Sequence, residues 1–311
     1  MSMDKLLEKI VEKQNPTVAG LDPKLSYIPE EMRQASYEKY GKTLEGAADA
    51  LLSFNKGLID ALCDIVPAVK PQAAYYEMYG WQGVKALTET IAYAREKGMF
   101  VITDGKRNDI GATMTAYAAA HLGMTQVEDE TWEAFGADAL TVNGYLGTDG
   151  INPLLEVCQK EDKGIFVLVK TSNPSSGELQ DRTLTEGETV YRAMGAMCEG
   201  WGEKLPGKYG YSGVGAVVGA TYPAQLGELR AALPHTFFLV PGYGAQGGAA
   251  DDVAPGFDKN GLGAIVNSSR GIMCAWQKEG VDGSEYATAA RREAIRMRDQ
   301  IVGRVGKITL P

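Results

Sequence analysis

Histidine is nearly absent from this sequence: 311 residues contain only His121 and His235. A Ser-His or Cys-His catalytic pair therefore has little material to work with. Cysteine is also scarce. Cys63, Cys158, Cys198 and Cys274 lie far apart and none falls in a C-x-x-C pair. That pattern reads as unlinked thiols in a reducing compartment. Positive charge is short as well, with 31 Lys and Arg against 40 Asp and Glu, a net charge of −9. No basic tract offsets the deficit. Binding nucleic acid takes clustered cations that displace phosphate counterions, so no nucleic-acid partner is expected. A small anion is still allowed, because one arginine and a few backbone amides suffice to hold it. No apolar run approaches the ~18 residues of a membrane span. Residues 1–14 lack the apolar core and small-residue cleavage site of a secretion signal. They read instead as a charged amphipathic helix with Leu6, Leu7, Ile10 and Val11 on one side. The expectation is a cytoplasmic chain with no membrane partner.

What is present is a repeat of short apolar runs, each followed by a segment with helical spacing. The runs fall at 18–22, 66–70, 100–104, 137–143, 164–170, 214–219, 236–240 and 263–267. They are continuous in Val, Ile and Leu rather than alternating, as strands covered on both faces must be. Residues 44–62 place Leu44, Ala47, Leu51, Phe54, Leu58 and Leu62 at three- and four-residue spacing, and 81–97 and 286–302 are similar. Eight such alternations without a Gly/Pro/Ser linker predict one (β/α)₈ TIM-barrel domain over residues 1–311. A doubly wound sheet is the other arrangement that strand count allows. Two intervals exceed what a plain barrel needs, 23–42 and 173–212. They read either as rim decoration or as a lid, since insertions after barrel strands lie on the face that carries active sites.

Chemistry on this architecture is therefore expected at the strand ends. They carry Asp22, Lys70, Asp104 with Lys106, Asn143, residues 170–173, residues 241–248 and residues 267–271. The loops after the seventh and eighth strands are glycine-rich and end in Arg270. Glycine lets backbone N–H groups approach an anion, and arginine donates two parallel bonds to phosphate oxygens. The pattern is not a nucleoside triphosphate P-loop. At the third strand, Asp104 and Lys106 are two apart and in extended chain project to one side. With Lys70 and Asp109 they give alternating charges. Such a set is either a poised proton donor with shared ionisations or a salt-bridge network that stabilises the barrel mouth.

The motifs together are more specific than any one of them. DGKRNDIGAT at 104–113 resembles the pattern of the orotidine 5′-monophosphate decarboxylase family. GLD at 20–22, VKP at 69–71, KTSNP at 170–174, VPGYGAQGG at 240–248 and NSSRG at 267–271 extend the likeness over most of the chain. Length and the long interval after the fifth strand are similar to the longer bacterial subgroup. The resemblance implies conversion of orotidine 5′-monophosphate to UMP and CO₂ without metal or organic cofactor. It implies Lys106 as the proton donor to C6 and Asp104 against the departing carboxylate. Asp22 and Lys70 would hold the ribose hydroxyls, and Ser172 would contact the pyrimidine. Gln246 and Arg270 would reach the phosphate, with Pro241, Gly242 and Gly247 lining the pocket. Asp109, Ile110 and Thr113 would enter the site of a second subunit, which implies a homodimer. Ser175, Ser176 and Thr183 are candidate lid contacts, and Glu77 and Asn143 are rim residues without a role. Two other readings remain: a metal-dependent sugar-phosphate decarboxylase or aldolase on the same barrel, and a non-catalytic nucleotide-binding barrel. Lys70 stands where the first wants a metal ligand, and the second has no need of the Asp104, Lys106 and Asp109 set.

Overall fold

The computed structural model describes residues 2–244 and 248–311. Its strands in chain order are β1 (Thr17–Leu21), β2 (Ala68–Pro71), β3 (Phe100–Arg107), β4 (Thr125–Val127), β5 (Glu130–Trp132), β6 (Ala139–Val142), β7 (Gly164–Lys170), β8 (Val214–Val218), β9 (Phe238–Val240) and β10 (Ala264–Ser268). Eight of them close into a parallel barrel in the order β1-β10-β9-β8-β7-β6-β3-β2. The fold is thus the (β/α)₈ barrel expected from the eight apolar runs. The helix at Leu44–Leu62 begins and ends where its apolar spacing does; Gly80–Glu96 is shifted by one residue from the expected 81–97, and Tyr286–Val305 runs three residues past the expected 286–302.

β4 and β5 were not expected. They pair as an antiparallel hairpin between the helix Gly111–Leu122 and β6. Each has three residues, all exposed, so no buried face exists to leave a hydrophobic pattern in the sequence.

Side-chain alternation along the strands sorts the core into an inside and an outside. Val18, Ala68, Phe100, Ile102, Ala139, Phe166, Leu239 and Ile265 pack together inside the barrel. Their neighbours Ala19, Val69, Val101, Leu140, Ile165, Val240 and Val266 face the surrounding helices. The amphipathic helix Ser2–Lys13 closes the floor, adding Met3, Leu6, Leu7 and Ile10 to the inner cluster. The same parity carries upward: Lys70 is two residues beyond Ala68, Asp104 two beyond Ile102, Thr141 two beyond Ala139 and Asn267 two beyond Ile265. Four polar residues therefore occupy inward positions one layer above an apolar plug.

Of the long intervals, 23–42 holds a 3₁₀ turn at Leu25–Tyr27 and the helix Glu30–Tyr40. In 173–212, the helix Val190–Gly202 packs on β7 and β8 in the ordinary barrel manner, so residues 173–189 are what projects beyond the repeat. All four cysteines are free thiols. Among the described residues no helix is long and apolar enough to cross a membrane.

Candidate active site

A cavity of about 600 Å³ opens over the inward polar layer, at the C-terminal ends of the barrel strands. Asp22, Lys70, Asp104, Lys106, Ser172, Pro241, Gly242 and Arg270 all line it, as the strand-end reading expects. Thr141, Leu168, Val217 and Leu239 line it as well, together with Lys24, Tyr27 and Tyr75.

The centre of the charge arrangement is Asp104, only 6% exposed. Its Oδ2 accepts from Lys70 Nζ at 2.6 Å and from Gln72 Nε2 at 2.9 Å. Its Oδ1 accepts from Lys106 Nζ at 2.5 Å and from the Thr141 hydroxyl at 2.8 Å. Two donors per oxygen saturate a carboxylate. Burial alone would raise the Asp104 carboxyl, but Lys70 and then Lys106 outweigh it and hold the group far below the usual range. Burial likewise draws the Lys70 ammonium down, and Asp104 and Asp22 more than reverse this, leaving it above its ordinary value. Asp22 goes the other way. Its burial pushes the carboxyl up against the pull of Lys70, and its Oδ1 is buried without a hydrogen-bond partner. Asn267 Oδ1, also on the cavity wall, is in the same condition. Buried polar atoms are rarely left so, and two facing one cavity fit a ligand that brings hydroxyl donors.

Lys106 differs from Lys70 in access. Its side chain is 45% exposed, against 4% for Lys70, so its ammonium is the more open of the two in the cavity that both line. The backbone there is not simply extended. The β3–β6 register shifts between Thr103 and Arg107, and Lys106 adopts φ +48°, a region that side-chain-bearing residues seldom enter. A bulge, rather than plain alternation, keeps Asp104 and Lys106 on one side.

Close packing of β1 against β10 also constrains the site. A Cβ on Gly20 would lie 1.9 Å from Ser269 Oγ and 2.9 Å from Asn267 Oδ1. The glycine of the GLD run therefore lets the first and eighth strand ends meet beside Asp22.

Asp109, Ile110 and Thr113 are not among the cavity-lining residues. Asp109 Oδ1 turns back to accept the Ile110 N–H at 2.8 Å as the chain enters the helix Gly111–Leu122. Within one chain the charge set is accordingly Lys70, Asp104 and Lys106 with Asp22 beside it, and Asp109 is not part of it. Gln246 and Gly247 lie outside the described residues. Of the candidate lid contacts, Ser176 is buried against Lys170 Nζ at 3.3 Å and Tyr222, Ser175 Oγ accepts from Asn173 at 3.2 Å, and Thr183 is exposed. None of the three lines the cavity; Thr171 and Asn173 do. Glu77 pairs with Arg107, and Asn143 caps a turn by accepting the Tyr145 N–H at 3.0 Å. Sequence reasoning missed Gln72 and Thr141. The only trace of either was a polar residue inside or just past an apolar run. Among the described residues no group of three His, Cys, Asp or Glu is placed to hold a metal ion.

Residues 47–281 match the family model described as Orotidine 5′-phosphate decarboxylase / HUMPS family. An orotidine 5′-phosphate decarboxylase of Rhodopirellula baltica is 47% identical over 291 residues, covering 92% of this chain and 94% of that one. One from Clostridium perfringens is 43% identical over 301 residues, 97% of this chain and 98% of its own. The structure of Leishmania donovani OMP decarboxylase superposes with a TM-score of 0.70 at 30% identity, covering 96% and 98% of the two chains. Barrel, strand-end residues and near-full-length likeness agree: the chain belongs to the orotidine 5′-phosphate decarboxylase family.

Proposed function

We propose that this chain decarboxylates orotidine 5′-monophosphate to UMP and CO₂, the last step of de novo pyrimidine nucleotide synthesis. The observation that carries the proposal is the buried Asp104 carboxylate holding Lys70 on one oxygen and the cavity-facing Lys106 on the other.

In this reading the bond from C6 to the carboxylate breaks and CO₂ leaves. The electron pair stays on C6 and takes a proton from Lys106 Nζ. No neighbouring group delocalises that pair, so an ammonium fixed beside it stabilises the transition state more than the ground state. Asp104 faces the departing carboxylate. At ~4 Å their repulsion is about 1 kcal/mol in water and about 4 at an effective dielectric of 20, so it matters in a closed, dry site. Lys106 has the larger role.

Asp22 and Lys70 take the ribose hydroxyls, a role supported by the unpartnered Asp22 Oδ1. Ser172 contacts the pyrimidine. Arg270 and Gln246 hold the phosphate, with Pro241, Gly242 and Gly247 around it, and this remote binding energy favours closure. Asp109, Ile110 and Thr113 serve the site of the partner in a homodimer. Their position off their own cavity, with Ile110 52% exposed, supports this. The chain acts as one barrel domain over 1–311 with rim additions at 23–42 and 173–212, and the free thiols suit a cytoplasmic location.

The test is to mix the protein with orotidine 5′-monophosphate and follow the loss of its ultraviolet absorbance with and without EDTA. Turnover that survives the chelator is expected. No turnover at any enzyme concentration sinks the proposal, and turnover abolished by EDTA points to the metal-dependent chemistry of the barrel's other relatives.

A further inference from the structure

Thr141 lies on β6 at an inward position, 2% exposed and on the cavity wall. Its one hydroxyl is used twice. Oγ1 donates to Asp104 Oδ1 at 2.8 Å and accepts the Lys106 N–H at 3.0 Å. The strand register explains the double use. Thr103 pairs with Leu140 and Arg107 pairs with Val142. Asp104, Gly105 and Lys106 are thereby set opposite Thr141 alone. A bulge leaves its extra residues outside the backbone ladder, so their N–H groups need an acceptor from elsewhere. Here a side-chain oxygen from the facing strand takes the Lys106 N–H, at the residue that holds φ +48°. Such a conformation persists only where its surroundings over-determine it.

We propose that Thr141 is a positioning residue for decarboxylation. Through one oxygen it ties the backbone of Lys106 to the carboxylate of Asp104, and so fixes the ammonium against the carboxylate before substrate arrives. The inference rests on the decarboxylase reading above. It is specific to the hydroxyl. A threonine hydroxyl has one proton, so donation to Asp104 leaves its lone pairs for the Lys106 N–H. Valine has nearly the same shape and can make neither bond.

The experiment compares wild type with Thr141→Val and Thr141→Ser, reading kcat, KM and the affinity for UMP in each. Losing a bond to a charged group costs on the order of 10- to 100-fold, and that drop is expected in kcat for the valine variant. UMP affinity should stay within about threefold of wild type, since the lost interaction acts on the reacting group. Serine, which keeps the hydroxyl, should recover most of the rate. A structural role would instead lower UMP affinity along with kcat. The proposal is overturned if the valine variant turns over within about threefold of wild type, if its UMP affinity falls in parallel with kcat, or if serine does no better than valine. Should the valine protein fail to fold, Thr141→Ala replaces it with the same expectations. Wild type without turnover would instead overturn the decarboxylase reading, and this inference with it. An active wild type beside an active valine variant overturns the role of Thr141 alone.

Discussion

Lys106 Nζ stands 2.5 Å from Asp104 Oδ1 across a backbone that bulges between the two residues. The contact is short and charge-assisted, yet Lys106 remains half open to the cavity while its partner is buried. One end of the pair is fixed and the other can meet a ligand. That asymmetry is what a proton donor at C6 requires.

Lys106→Ala removes the proposed proton donor and leaves Asp104 with Lys70, Gln72 and Thr141. Turnover should fall by roughly 10²–10⁴-fold, the usual contribution of a positioned acid. UMP binding by calorimetry should be largely kept, and a near-normal rate would remove Lys106 from the mechanism.

Lys70 is a different kind of lysine. It is buried with Asp104 and Asp22, so Lys70→Ala leaves a carboxylate pair without its buried cation. Breaking a buried pair from one side costs about 3–5 kcal/mol, which denaturant unfolding reads as a lower midpoint at unchanged slope. A loss under ~1 kcal/mol would mean the remaining donors hold Asp104 without it.

Arg270 lines the cavity at the start of the short helix Arg270–Met273. If it holds the phosphate, Arg270→Ala should raise KM by about 10- to 100-fold, as expected for a charge-assisted bond. Competition by UMP should weaken alike, and competition by uridine should not change. Equal weakening for both would place Arg270 away from the phosphate.

His121 gives a pH signature to the fold rather than the reaction. Burial first, and then the charge of Arg107, holds its imidazole down to about 4 from an ordinary 6.5. The unfolded chain therefore takes the proton first. Stability should fall as pH drops from about 6.5 to about 4, by at most about 3 kcal/mol, and this component should be flat above that window. His121→Leu should lose that part of the slope. An unchanged acid limb in the variant would assign it to other groups.

Shared sites predict complementation. Inactive Lys106→Ala and inactive Asp109→Ala subunits, mixed and allowed to exchange, should regain activity, at most about a quarter of wild type for random pairing into two-fold dimers. No recovery in any mixture would place Asp109 in its own subunit's chemistry or outside it.

Most of the barrel was legible because each buried strand is a continuous apolar run. The hairpin of β4 and β5 was not, since its short exposed strands bury nothing. The same contrast holds in the site. Asp22, Lys70, Asp104 and Arg270 stood out as charges at strand ends. Thr141 and Gln72 did not, because a hydroxyl or an amide near a strand end has no marked meaning until its partner is known.

The amino-acid sequence by itself determined which residues of one strand share a side, because alternation is a local property of extended backbone. It thereby put Lys70 with Ala68 and Asp104 with Ile102, and packing turned those sides inward. Tertiary structure decided the rest: barrel closure, the bulge that turns Lys106 back toward Asp104, and the separation of Asp109 from that pair. Thr141 meets Asp104 from 37 residues away and Lys70 meets it from 34. Contacts across that distance are set by the register between strands, which is fixed only when all eight pack around one core.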